Sequence, residues 1–385
     1  MSEIYLDHAA ATPIYPEVLE KISEAGKICF GNPSSIHQEG IKVKTILDET
    51  RYGVAKFFEC KIGEVVFTSG ATESLNLAII GNYLHQRVGD KTFKGTIFIS
   101  PLVHASITGA CTFLEKHFGA EIKFLPIENS GFLNMEQIDA KIFDKANIIV
   151  CEHGNSEIGI VQPIAKLGKK IKKYREEKEK GTPVFIVDTA ASVVTEKISL
   201  SHQVCDMLTV SGEKFGAGAG SGILIKQSKV LLSSLFHGSH EFGLRGGTEN
   251  WLGILGLKEA LKLHEKNRVK MREHFKTLQE FARKYFIEKF PEIKITTPRK
   301  NFLPHIFHFR LLKESGELFV QKCDLDGVCI SAGAACSSGN VSGSSILKNI
   351  GCSDKEAKRG IRISFGRNTM ENDLKKAFEI FEKHF

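Results

Sequence analysis

From residue 64 to residue 226 the chain repeats one pattern, a short β-branched apolar run followed by a stretch of helical periodicity. The runs are EVVFTS at 64–69, GTIFIS at 95–100, EIKFLPI at 121–127, NIIVCE at 147–152, VFIVD at 184–188, MLTVS at 207–211 and GILIK at 222–226. Helical stretches at 72–84, 104–118 and 164–180 lie between some of them. Strands separated by helices are joined by crossovers, so the pattern predicts an α/β fold with a mostly parallel seven-stranded sheet covered by helices. A long helical stretch at about 251–285 leaves the alternation, and the strand-like runs HIFHFRL, GVCIS and IRISF follow it. A large domain over 15–255 and a smaller α+β domain over 256–385 are therefore expected, with residues 1–14 packing on the smaller one.

Several function classes are disfavoured. The +7 net charge is spread along the chain, and runs such as KKIKKYREEKEK mix both signs, as on the solvated face of a helix. No basic face with interleaved aromatics points to nucleic acid. No apolar run approaches the ~18 residues of a membrane span. The N-terminus MSEIYLDHAAATP lacks the basic and apolar regions of a leader, so a cytoplasmic protein is expected. Nine cysteines without a Cys-x-x-Cys argue for free thiols rather than a disulfide framework or a zinc site, and no metal is expected. Cys151 and Cys329 sit in apolar runs as small hydrophobes. Cys336 differs, because its setting SAGAACSSGNVSG offers almost no side chain to pack against and reads as a loop.

Open α/β sheets bind ligands beyond the carboxyl ends of their strands. After EVVFTS come Gly70, Ala71 and Thr72 at a helix start, a place for a phosphate, although an ordinary helix cap explains them equally well in isolation. After GTIFIS comes His104, after VFIV comes Asp188, and after MLTVSGE comes Lys214. A lysine and an aspartate on successive strand ends suit pyridoxal 5'-phosphate: the amine forms a Schiff base, and the carboxylate keeps the ring nitrogen protonated. The glycine-rich GAGAGSG that follows does not match a dinucleotide loop, since it leads into a strand and not a helix.

These residues belong to longer motifs: YLDHAAATP, GNPSSIH at 31–37, FTSGATESLNLAI at 67–79, HGNSEIG at 153–159, LRGGTEN at 244–250 and IRISFGR at 361–367. Together they resemble the pyridoxal-phosphate-dependent cysteine desulfurases of the NifS/IscS type, in the class V aminotransferase superfamily. The resemblance implies the fold-type-I transferase architecture and a homodimer. It implies that Ala71, Thr72 and Ser211 hold the phosphate, with Thr248 reaching in from the other subunit. His104 would stack on the ring and assist proton transfer, Asn155 would contact its phenolic oxygen, and Asp188 and Lys214 would act as above. Arg362 would bind the substrate carboxylate, with Asn32 a second candidate.

Cys336 falls where the family has its nucleophile. The implied reaction converts L-cysteine to L-alanine with a persulfide on Cys336, passed to an acceptor or scaffold protein for iron–sulfur or other sulfur-containing cofactors. Other class V reactions, such as transamination or selenocysteine lysis, and a non-enzymatic sulfur relay are alternatives on the same scaffold. This chain departs from the pattern at Glu213, where the family usually has His, and at Ala191, where it has a ring-contacting Gln.

Overall fold

The computed structural model describes residues 4–333 and 343–385, so Cys336 lies outside the described residues. Its strands are β1 (Ile4–Tyr5), β2 (Val65–Thr68), β3 (Thr96–Ile99), β4 (Glu121–Phe124), β5 (Ala146–Glu152), β6 (Val184–Asp188), β7 (Met207–Ser211), β8 (Gly222–Lys226), β9 (Lys294–Ile295), β10 (Ile306–Arg310), β11 (Val328–Cys329) and β12 (Gly360–Ser364). Seven of them form one sheet in the order β2-β8-β7-β6-β5-β3-β4. All its pairings are parallel except those of β8, which runs against both β2 and β7. The expected mostly parallel seven-stranded sheet is thus present.

The burial of these strands explains why their sequences do not alternate. Strands β2, β3, β7 and β8 are buried at every position, as expected where helices cover both faces. The edge strand β4 is half-exposed and carries Glu121 and Lys123. It stops before Pro126, short of the expected 121–127, because proline has no N–H for a ladder. Helices Ala71–Asn76, Ala105–Phe118 and Ile164–Lys178 follow β2, β3 and β5.

Helix Trp251–Lys289 is 39 residues long and joins the two parts of the molecule. It buries Ile254, Leu257 and Leu261 in its first half, and Phe275, Leu278, Ala282 and Phe286 in its second. The Phe286 ring meets those of Phe307, Phe309 and Phe378 at 4.5–5.2 Å between centroids. A second sheet, β12-β10-β9, is antiparallel and places His308 opposite Arg362. Strand β1 pairs in parallel with β11, and Leu6 N–H donates to Cys329 O, which ties the N-terminal segment to this part. One hydrophobic cluster is continuous from the large sheet through the long helix to the second sheet, including Val187, Leu208, Leu257, Phe286, Phe307, Ile361 and Phe381. No helix among the described residues is long and apolar enough to cross a membrane.

Candidate active site

A cavity of about 570 Å³ opens beyond the carboxyl ends of the central strands. Ala71, Thr72, His104, Asn155, Asp188, Ser211, Lys214 and Arg362 all line it, although they come from segments up to 291 residues apart. Asn32 and Thr248 do not line it; both are exposed on this chain. The Asn32 carboxamide serves a turn, accepting from Ser34 N–H at 2.9 Å. Thr248 belongs to the exposed segment that precedes the long helix.

Close backbone packing forms one end of the cavity. A Cβ on Gly222 would sit 2.4 Å from Gly70 Cα, so β8 can press against the turn after β2 only because Gly222 carries no side chain. Ser211 Oγ lies 3.7 Å from where a Gly70 Cβ would be. The first bond inside the following helix runs from Ser74 N–H to Gly70 O at 3.1 Å, which leaves the Ala71 and Thr72 N–H groups without a helical acceptor. Two hydroxyls and a helix start therefore converge, as a phosphate group requires. Glu73, which also lines the cavity, is engaged by its own partners, accepting from Ser69 N–H at 2.9 Å and Arg245 Nε at 3.0 Å.

The middle of the cavity has its orientations set by hydrogen bonds. His104 caps helix Ala105–Phe118: its Nδ1 accepts from Ser106 N–H at 3.2 Å, which places the proton of the neutral ring on Nε2. Asp188 ends β6, where its Oδ1 accepts from Ala190 N–H at 3.0 Å and Thr209 Oγ at 3.2 Å, leaving Oδ2 available. Asn155 uses most of its side chain internally, donating to Leu102 O and accepting from Glu157 and Ile158 N–H, each at 2.9 Å. One N–H of its amide remains for a ligand. Lys214 Nζ donates to Ala10 O at 2.7 Å and pairs with Glu213 Oε1 at 3.1 Å. The unusual Glu213 is thus directed at the lysine.

Arg362 closes the other end. It is only 2% exposed, and it donates to Ser156 O at 2.9 Å, Asp7 Oδ1 at 2.7 Å and Ser331 Oγ at 3.1 Å. Its Nε–H is buried without a partner among the described residues, a donor suited to an incoming carboxylate. Two buried histidines from the second sheet and its approach accompany it. Burial, with His8 and then Arg362 and Arg272 nearby, lowers the His305 pKa to about 3. Burial with Arg362 and Arg310 does the same for His308.

Two carboxyl groups of the cavity wall escaped the sequence reading. Glu157 accepts from Ser344 Oγ at 2.5 Å. Glu152 ends β5 directly opposite Asp188, and burial pushes its carboxyl up to about 7 despite hydrogen bonds from Ser100 and Gln162. The rule that singles out Asp188, an acid ending an apolar strand, applies equally to the last residue of NIIVCE.

The residues present suit pyridoxal phosphate: a helix start with the Thr72 and Ser211 hydroxyls for the phosphate, a carboxylate with one oxygen available, a histidine of fixed tautomer and a lysine share one cavity. Comparisons with known proteins agree. Cysteine desulfurase IscS of Dictyoglomus turgidum is 33% identical over 382 residues, which cover 99% of this chain and 94% of that protein. The X-ray structure of a NifS-like protein from Rickettsia africae superposes with a TM-score of 0.85 at 29% identity, covering 99% of both chains. A structure of SspA in complex with cysteine gives a TM-score of 0.77 at 30% identity, covering 94% of this chain and 98% of that one. The family Aminotransferase class-V matches residues 4–377, and with full-length relatives at this identity the chain belongs to the class V aminotransferase family.

Proposed function

We propose that this protein is a pyridoxal-phosphate-dependent cysteine desulfurase that converts L-cysteine to L-alanine and carries the sulfur as a persulfide on Cys336. The observation that carries the reading is the convergence of Thr72, His104, Asp188, Ser211, Lys214 and Arg362 on one cavity. The likeness to desulfurases, and to a structure holding cysteine, supports the choice of substrate.

When bound, the cofactor supplies a sink for the electron pair left on the substrate α-carbon. Thr72, Ser211 and the helix start would hold its phosphate, and Asp188 would supply the negative charge for its ring nitrogen. Arg362 orients the substrate carboxylate, held in place by Ser156, Asp7 and Ser331. Lys214 would hold the cofactor through its amine and would take the α-proton, and Glu213 at 3.1 Å would stabilise its ammonium form. His104 holds its Nε2–H toward the reacting groups. The Cys336 thiolate then attacks the substrate sulfur: an S–S bond forms, the substrate Cβ–S bond breaks, and its electron pair with added protons completes alanine.

We take the large domain to span 15–255 and the small one 256–385. A homodimer is supported by exposed apolar side chains around the segment that carries Thr248, including Phe30 at 80% and Ile36 at 95% exposure, with Phe236 and Phe242. Ser34 Oγ, 3.2 Å from His240 Nε2, joins these two segments. The setting is the cytoplasm and the final recipient an acceptor protein. The test is to measure alanine and sulfide from L-cysteine with reductant and cofactor, for the wild type and Cys336→Ala. Equal amounts of both products, lost in the variant, support the reading. Turnover that survives in the variant assigns the scaffold to another class V reaction.

A further inference from the structure

Glu152 is an acid of the cavity wall to which the reaction above gives no task. It is 3% exposed, and its Oε1 accepts from Ser100 Oγ and Gln162 Nε2, both at 3.2 Å. Its Oε2 is buried with no hydrogen-bond partner among the described residues. Because β5 and β6 run in parallel with Glu152 beside Asp188, the two side chains leave the sheet on the same face at adjacent positions. A cavity that needs a single carboxylate for a cationic ring nitrogen therefore has a second carboxyl directly beside it.

We propose that Glu152 is a second acid of the cofactor pocket, acting beside Asp188 to set how strongly the pocket holds a positively charged ring nitrogen. The inference rests on the pyridoxal phosphate reading. When Glu152 carries its proton, Asp188 alone faces the ring; when it ionises, the pocket gains a second negative charge next to the first. A cation bound between them then favours that ionised form. Burial, opposed by the Ser100 and Gln162 hydrogen bonds and reinforced by Asp188, puts this change at about pH 7. The other titratable groups lining the cavity, besides Asp188, are Glu73, His104, Glu157, Glu213, Lys214 and Arg362, while Cys151 on β5 and His153 just beyond it flank Glu152 in the chain. Glu152 touches no reacting atom, so it is a positioning residue that works through the charge beside Asp188.

The test is the dissociation constant of pyridoxal phosphate from the apoprotein, by equilibrium dialysis between about pH 6 and 8.5, for the wild type, Glu152→Gln and Ser100→Ala. Glutamine keeps the shape and the acceptor for Ser100 but cannot ionise. The expected result is equal affinity at the acid end and about tenfold tighter binding by the wild type at the alkaline end, the effect of one screened charge at ~5 Å. Ser100→Ala, which removes a bond favouring the ionised form, moves the break to higher pH and keeps the test usable if Glu152→Gln fails to fold. Parallel wild-type and Glu152→Gln profiles, or an unmoved break in Ser100→Ala, overturn the inference alone. A wild type that does not bind pyridoxal phosphate at any pH overturns the cofactor reading beneath it.

Discussion

Replacing His308 by phenylalanine stabilises the protein in mild acid and changes it little above neutrality. His308 is fully buried, and neither ring nitrogen has a hydrogen-bond partner. Glu157 Oε1 lies 4.0 Å from Nε2, beyond hydrogen-bond reach, and does not offset the burial. Burial, together with Arg362 and Arg310, lowers the pKa from 6.5 to about 3. Below pH 6.5 the unfolded chain binds a proton that the folded chain refuses, so stability falls with pH until the folded value is reached. At pH 5 the loss from this ring is about 2 kcal/mol, from 1.36 kcal/mol per unit over ~1.5 units. Phenylalanine has no proton to bind and keeps the ring's shape. Urea unfolding of the wild type and His308→Phe should therefore give a difference at pH 5 that exceeds the difference at pH 7.5 by about 2 kcal/mol. Equal differences at the two pH values refute the reasoning, because they require a native His308 that accepts its proton as readily as an exposed ring.

Four more histidines act in the same direction: His8, His153 and His264 are lowered to about 4 and His305 to about 3. At about 2 kcal/mol each, the five remove about 10 kcal/mol at pH 5, comparable with the ~5–15 kcal/mol that keeps a domain folded. The wild type should unfold between about pH 6 and 5 at room temperature, as circular dichroism would register. Arg362→Lys should lower kcat/KM for cysteine about 100-fold, mainly through KM, since an ammonium cannot reproduce the guanidinium fork; steady-state kinetics separate this from a loss in kcat. Arg51 forms a bidentate pair with Glu241 at 2.6 and 2.9 Å, and Glu241 also accepts from Phe67 N–H at 2.8 Å. Arg51→Ala should cost about 3–5 kcal/mol in denaturant unfolding, because it leaves a buried carboxylate unpaired.

The large sheet was legible because its strands are apolar on both faces, a pattern few other arrangements produce. The site residues on strand ends were legible for a related reason: Asp188 and Lys214 interrupt runs that are otherwise buried. Glu152 interrupts its run in the same way and was passed over because a single carboxylate already satisfied the chemistry sought. Asn155 was read as a ligand contact, and its carboxamide turns out to hold a turn with most of its hydrogen-bonding capacity. The Asp7–Arg362 pair joins residues 355 positions apart, and no local pattern announces such a contact. Asn32 and Thr248 are exposed on the single chain and do not line the cavity, so this chain's own fold does not bring them to it.

The hydrophobic cluster that continues from one sheet to the other through helix Trp251–Lys289 also governs how the molecule comes apart. The smaller part cannot melt without breaking into this body, because Leu257 and Phe286, on one helix, belong to it, while the large sheet keeps a second cluster on its other face, with Ile97, Ile148 and Leu224. Heating should therefore produce one cooperative transition whose calorimetric and van't Hoff enthalpies agree. Arg362 on one sheet and Asp188 on the other would then lose their places together, at a single temperature.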